Sequence, residues 1–185
     1  MRYTMNQKYQ SKYRIPSSRL SAWDYSSAGW YFVTICVQNR KPMLSDIVDN
    51  KVILSTIGEM VMKYWDEIPK QFPHVDNDEY IIMPNHIHGI IVIDNDDRDA
   101  IEHGGGITGK SNPMGKQSLG EIIRWFKGRT SYEIHKISSP FQWQPRYYDH
   151  VIRNETSLQK IREYIRWNHL KWDADLDNPK NIETR

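Results

Sequence analysis

At 185 residues the chain is long enough for one sizeable core. Lys and Arg number 25 against 23 Asp and Glu, a formal charge of +2, so overall charge selects no partner. A single cysteine excludes a disulfide framework and a cysteine-based zinc site, and no apolar run approaches the roughly 18 residues of a membrane span. The basic N-terminus lacks the apolar stretch of a secretory signal, and the expected setting is reducing and cytoplasmic.

Residues 1–28 read as a basic arm. Arg2, Lys8, Lys12, Arg14 and Arg19 occupy its first twenty positions with no acid among them. Such an arm suits phosphates, and an ordinary polar tail has the same composition. Residues 29–38 are dense in aromatic and β-branched side chains and predict a strand ended by Asn39-Arg40-Lys41-Pro42. Residues 51–68 carry Ile53, Ile57, Met60, Val61, Tyr64, Trp65 and Ile68 at three- and four-residue spacing, the pattern of an amphipathic helix stopped before Pro69 and Pro73.

The run from Tyr80 to Ile93 predicts two strands broken at Met83-Pro84-Asn85, because proline removes a ladder donor. Alternation along the second strand puts His86 and His88 on one face and Ile87 on the other. Two imidazoles in such apolar company suit a metal ion; two partly exposed histidines on a sheet edge is the alternative. Residues 94–117 are acidic and then glycine-rich, a flexible insert. Gly109-Lys110-Ser111 hints at a phosphate loop, but the glycines before it adjoin no following helix pattern.

Ser118 and Glu121 form a capping box that opens a helix with Leu119, Ile122, Ile123 and Phe126 inward. Residues 147–153 are a last short strand. A final helix from Asn154 or Thr156 to about Trp172 buries Leu158, Ile161, Ile165 and Trp172, and residues 173–185 form a tail. From 116 to 172, eleven Lys or Arg stand against five acids, which makes this half the polyanion-facing one. Arg124, Lys127, Arg146, Arg153 and Arg166 are its candidate phosphate contacts, although each alone also fits a solvated surface charge.

In the final helix Tyr164 and Asn168 are four apart and share a face. With His86 and His88 they make a site of two imidazoles, an amide oxygen and a phenol. That set suffices for cutting DNA by transesterification, with a metal offsetting charge on phosphate and the tyrosine oxygen attacking phosphorus. Tyr147 and Tyr148 are rival nucleophiles, better suited to a strand or stacking role because neither has an amide one helical turn away.

Met83-Pro-Asn-His-Ile-His88 resembles the HUH motif of single-tyrosine transposases. Trp143-Gln144, Asp149-His-Val-Ile-Arg-Asn154 and Tyr164-Ile-x-x-Asn168 are similar to the REP-associated tyrosine transposases, over residues 30 to 172. The resemblance implies a ferredoxin-like α/β fold, an antiparallel sheet with helices packed on it, in a single HUH domain spanning 29–172. It implies Tyr164 as nucleophile, His86 and His88 as ligands of Mg²⁺ or Mn²⁺, and Asn168 as the third ligand. It implies a single-stranded or hairpin DNA substrate cut through a 5′-phosphotyrosine, by a monomer or homodimer. The family's Asn-Pro is here Asn168-His169, which removes a helix stop and offers His169 as a competing ligand. Two other readings remain: a domesticated module that binds hairpin DNA or RNA without cutting, and a hydrolase of small phosphoesters.

Overall fold

The computed structural model describes residues 23–94, 117–137, 140–175 and 178–182. Most of the expected arm and of the glycine-rich insert lies outside the described residues. The elements are β1 (Gly29–Cys36), β2 (Ser45–Val48), β3 (Lys51–Leu54), α1 (Thr56–Asp66), α2 (Ile68–Gln71), β4 (Val75–Ile82), β5 (His86–Ile93), α3 (Leu119–Ile134), β6 (Tyr148–Ile152), α4 (Glu155–Trp167), a 3₁₀ segment (Asn168–Ala174) and α5 (Pro179–Ile182).

Four strands form an antiparallel sheet in the order β4-β5-β1-β6. With α1 and α3 as crossovers, this is the ferredoxin-like arrangement of two split β-α-β units. Strand alternation sorts the sheet into two faces. Tyr31, Val33, Ile35, Ile87 and Ile91 meet Val61, Trp65, Ile122, Ile123 and Phe126 of α1 and α3 in the larger core. On the opposite face Phe32, Ile90 and Ile152 meet Leu158 and Ile165 of α4. Central strands covered on both sides need apolar residues at nearly every position, hence the unbroken runs in β1 and β5. Among the described residues no helix is long and apolar enough to cross a membrane.

The expected helix over 51–68 begins instead at Thr56. Residues 51–54 pair with 45–48 in a hairpin whose turn, Asp49-Asn50, has both residues in the left-handed region (φ 50 and 58). Two consecutive left-handed residues make the turn that matches strand twist, and Asn and Asp tolerate it best after glycine. Ser55 then caps α1 by accepting from Gly58 N. Pro69 does not end a helix but sits at the start of α2, where its missing N–H costs nothing. The final α-helix stops at Trp167 and tightens into the 3₁₀ turn that carries the chain to Ala174, short of the expected run to Trp172. Residues 23–28, assigned to the arm, include the buried Tyr25, which belongs to the larger core.

Two devices fix α4 on the sheet. Asn154 Oδ1 accepts from Ser157 N at 2.8 Å, capping the helix. Arg162 binds Asp78 through Nε (2.9 Å) and Nη2 (2.8 Å), and Arg166 pairs with Glu79, both carboxylates lying on β4. Asn154→Ala removes the cap acceptor and is expected to cost about 1 kcal/mol. A thermal melt should then fall by about 2–4 °C.

Candidate active site

The tight connection between β4 and β5 delivers the first histidine. Met83 N donates to His86 O (2.8 Å), while Pro84 O accepts from Met43 N and Leu44 N (2.9 Å each), so the proline sits in a turn. Across the ladder His86 faces Cys36 and His88 faces Thr34, all on the α4 side of the sheet. Both imidazoles are buried, at 0% and 5% exposure.

Their orientation is set by neighbours. Asn85 Nδ2 donates to Arg40 O (3.0 Å), so Asn85 Oδ1 must be the atom 2.8 Å from His86 Nδ1. An amide oxygen only accepts, so His86 carries its proton on Nδ1 and presents a bare Nε2. His88 Nδ1 lies 2.8 Å from Thr34 Oγ1, and its Nε2 lies 3.0 Å from His86 Nε2. Two imidazole edges thus converge on one point.

Tyr164, half-exposed at 43%, reaches the same point from α4. Its hydroxyl is 3.2 Å from His88 Nε2, and its ring stands edge-on to Phe32. Burial raises its pKa above the ordinary phenol value, the charge of Asp175 adds to this, and a hydrogen bond from the Asn168 side chain opposes both. Asn168, one turn on and 2% exposed, has a buried Oδ1 with no hydrogen-bond partner among the described residues.

That orphaned oxygen and the paired Nε2 edges fit a divalent cation. Burial, followed by the neighbouring His88 and Arg40, holds His86 well below the usual histidine range, and burial lowers His88 to about 4. Both rings are therefore neutral at physiological pH, the form in which an imidazole can bind a metal. Among the described residues no group of three His, Cys, Asp or Glu side chains could hold a metal ion, so a third protein donor beside the imidazoles would have to be of another type, such as the Asn168 amide. His169, beside it, is half-buried with Nδ1 lacking a hydrogen-bond partner among the described residues.

The same burial predicts acid sensitivity in protein stripped of divalent ions. Between the unfolded pKa of about 6.5 and the lower folded values the unfolded chain binds more protons, so stability falls as pH drops through that window. His88 alone is expected to cost about 3 kcal/mol between pH 7 and pH 4. Urea titrations at the two pH values measure it, and His88→Ala should flatten the difference.

No protein-family model matches the chain. An uncharacterised protein of Haemophilus influenzae is 38% identical over 172 residues, covering 86% of this chain and 90% of its own length. A second protein of that organism, described as "Putative REP-associated tyrosine transposase", is 27% identical over 150 residues, covering 80% of this chain and 74% of its own. A solved structure of a REP-associated tyrosine transposase bound to a REP hairpin matches with a TM-score of 0.56 at 20% identity, over 88% of this chain and 74% of that one. In sequence and in fold the chain resembles the REP-associated tyrosine transposases.

The basic residues of this transposase-like chain are dispersed. Arg124 lies on α3, against the sheet face opposite Tyr164. Lys127 Nζ donates to Gln144 O (2.8 Å) and Arg146 O (3.0 Å), pinning that loop. Arg153 stands over the Trp23 ring, and Arg166 pairs with Glu79. Arg146 lines a cleft beside His88, with Tyr147 and Tyr148. Arg40 also lines this cleft, at a position where the sequence predicts only the end of a strand; no periodicity marks it. The signal was its place beside Asn39, a residue type that tolerates left-handed backbone.

Proposed function

We propose that this transposase-type protein is a metal-dependent single-strand DNA endonuclease and strand transferase, cutting beside hairpins through a 5′-phosphotyrosine. The contact of the Tyr164 hydroxyl with His88 Nε2 at 3.2 Å carries the reading. The family, and the hairpin on the matched solved structure, support the substrate class.

His86, His88 and Asn168 would hold Mg²⁺ or Mn²⁺, which supplies Lewis-acid stabilisation of a phosphate oxygen. The chain's own residues do the rest. Asn85 and Thr34 orient the two imidazoles, and α4 aims Tyr164. Its raised pKa keeps the phenol protonated at neutral pH, so it must lose that proton as it attacks. The Tyr164 Oη–phosphorus bond forms as the phosphorus–O3′ bond breaks. The departing O3′ takes up a proton, which balances the one lost. The ester energy is retained, and the reverse attack by a 3′-hydroxyl rejoins strands without ATP.

The test is incubation with hairpin-bearing single-stranded DNA and Mn²⁺ or Mg²⁺, with mass spectrometry to map a covalent adduct. An adduct on Tyr164, absent in EDTA, is the expected result. Salt-dependent hairpin binding indifferent to metal, with no adduct, would leave the non-cutting binding module. Metal-dependent turnover of a small phosphoester that survives loss of the phenol would favour the hydrolase.

A further inference from the structure

We propose that the turn at Asn39-Arg40 is a positioning element of the metal site: through the Asn85 amide it fixes which edge of His86 faces the cation. This rests on the cation reading above and adds to it a part of the chain outside the ligand set.

The segment 37–44, which joins β1 to β2, closes on the Met83-Pro84-Asn85 turn as a clasp. Val37 N donates to Asn85 O (2.8 Å), and Met43 N and Leu44 N both donate to Pro84 O (2.9 Å each). The Asn85 side chain donates in the other direction, from Nδ2 to Arg40 O (3.0 Å). Within the clasp Asn39 and Arg40 are consecutive non-glycine residues in the left-handed region (φ 56 and 52). Such backbone persists where the surroundings over-determine it, and it clusters at functional sites. Here it aims one carbonyl at the amide of Asn85, a residue only 1% exposed.

The consequence follows from donors and acceptors. A carbonyl only accepts, so Arg40 O holds the NH2 end of the amide. A flip of that amide would set two oxygens against each other. Oδ1 is left for His86 Nδ1 at 2.8 Å, where it too can only accept. The ring proton therefore stays on Nδ1, and Nε2 keeps its lone pair for a cation. Asparagine suits the place because it must donate and accept at once; aspartate would serve the ring and not the carbonyl. His88 is held less strictly. Its Nδ1 meets the Thr34 hydroxyl (2.8 Å), which can donate or accept. The direction of the pair is thus set at His86.

The test uses the full-length protein. Ring tautomers are read by long-range proton–nitrogen NMR after divalent ions are stripped, and Mn²⁺ affinity by electron paramagnetic resonance of the free ion. In the wild type the His86 proton is expected on Nδ1. Asn85→Ala should mix the tautomers and weaken Mn²⁺ binding about 10–100-fold. Asn85→Asp retains an acceptor for the ring and should restore both. Asn39→Val then probes the turn at an exposed position outside the ligand set. A β-branched residue resists left-handed backbone, so the Arg40 carbonyl should swing away. Mixed tautomers and a loss of about tenfold in Mn²⁺ affinity are expected. Displacement of the Arg40 guanidinium, whose charge bears on His86, would by itself tighten cation binding, the opposite sign. Asn39→Gly accepts the same backbone and should change neither reading. Asn85→Asp added to Asn39→Val should bring both readings back, which a general loss of fold would not allow.

An unmixed tautomer in Asn85→Ala would overturn the proposal. So would Asn39→Val protein that matches Asn39→Gly, that binds Mn²⁺ more tightly, or whose deficit Asn85→Asp does not repair. Wild-type protein that takes up no Mn²⁺ counts against the cation reading instead; the tautomers of the same variants then still decide whether the turn sets the ring.

Discussion

Tyr164→Phe protein is expected to form no covalent adduct with hairpin DNA. The phenylalanine ring keeps the edge contact with Phe32 and the helix stripe beneath it, so stability should move by no more than about 0.5 kcal/mol. What disappears is the oxygen that stands 3.2 Å from His88 Nε2. Loss of a nucleophile is expected to cost at least about a thousandfold in adduct formation. Denaturing gels with end-labelled DNA resolve that range. Tyr148→Phe is the companion measurement, since it retains a stacking ring and removes the rival phenol; its adduct should persist. An adduct that survives Tyr164→Phe and vanishes in Tyr148→Phe would move the chemistry to the other side of the histidines.

Gly89→Ala is expected to be the most damaging single methyl in the sheet. A Cβ at Gly89 would come within 2.3 Å of Trp65 Cζ2 and 2.9 Å of Cη2. Trp65 cannot retreat: it is fully buried, edge-on to Phe126 at 5.3 Å and against Tyr80 at 5.8 Å. Overpacking of this kind costs about 1–3 kcal/mol, and the rigid surroundings argue for about 3. Thermal unfolding should fall by roughly 10 °C. Trp65→Phe removes the clashing ring edge, so the double variant should recover stability relative to the sum of the single losses, a coupling of at least about 1 kcal/mol. Simple additivity would count against the clash.

Local chemistry made much of this legible beforehand. Alternation put His86 and His88 on one face; the four-residue spacing of Tyr164 and Asn168 put them on one side of a helix. Ser118 accepts from Glu121 N as its position suggested, although the Glu121 carboxylate reaches back to Gln117 N and not to the cap itself. The hairpin over 45–54 escaped because Ile53 extends the helical spacing of Ile57 and Met60, while the turn before it contains no glycine. Arg40 escaped because its direction comes from two left-handed residues and a carbonyl held by Asn85, none of which leaves a periodic trace. Arg162 and Arg166 find carboxylates 84 and 87 positions earlier, and charge counting along the chain does not register partners at that distance.

Those arginine tethers bind α4 to a strand of its own polypeptide, an arrangement that predicts phenol and imidazoles acting within one molecule. Cutting per molecule should then be unaffected by dilution. A mixture of Tyr164→Phe and His88→Ala proteins, each lacking one half of the set, should show no complementation; restored cleavage would mean that copies trade helices.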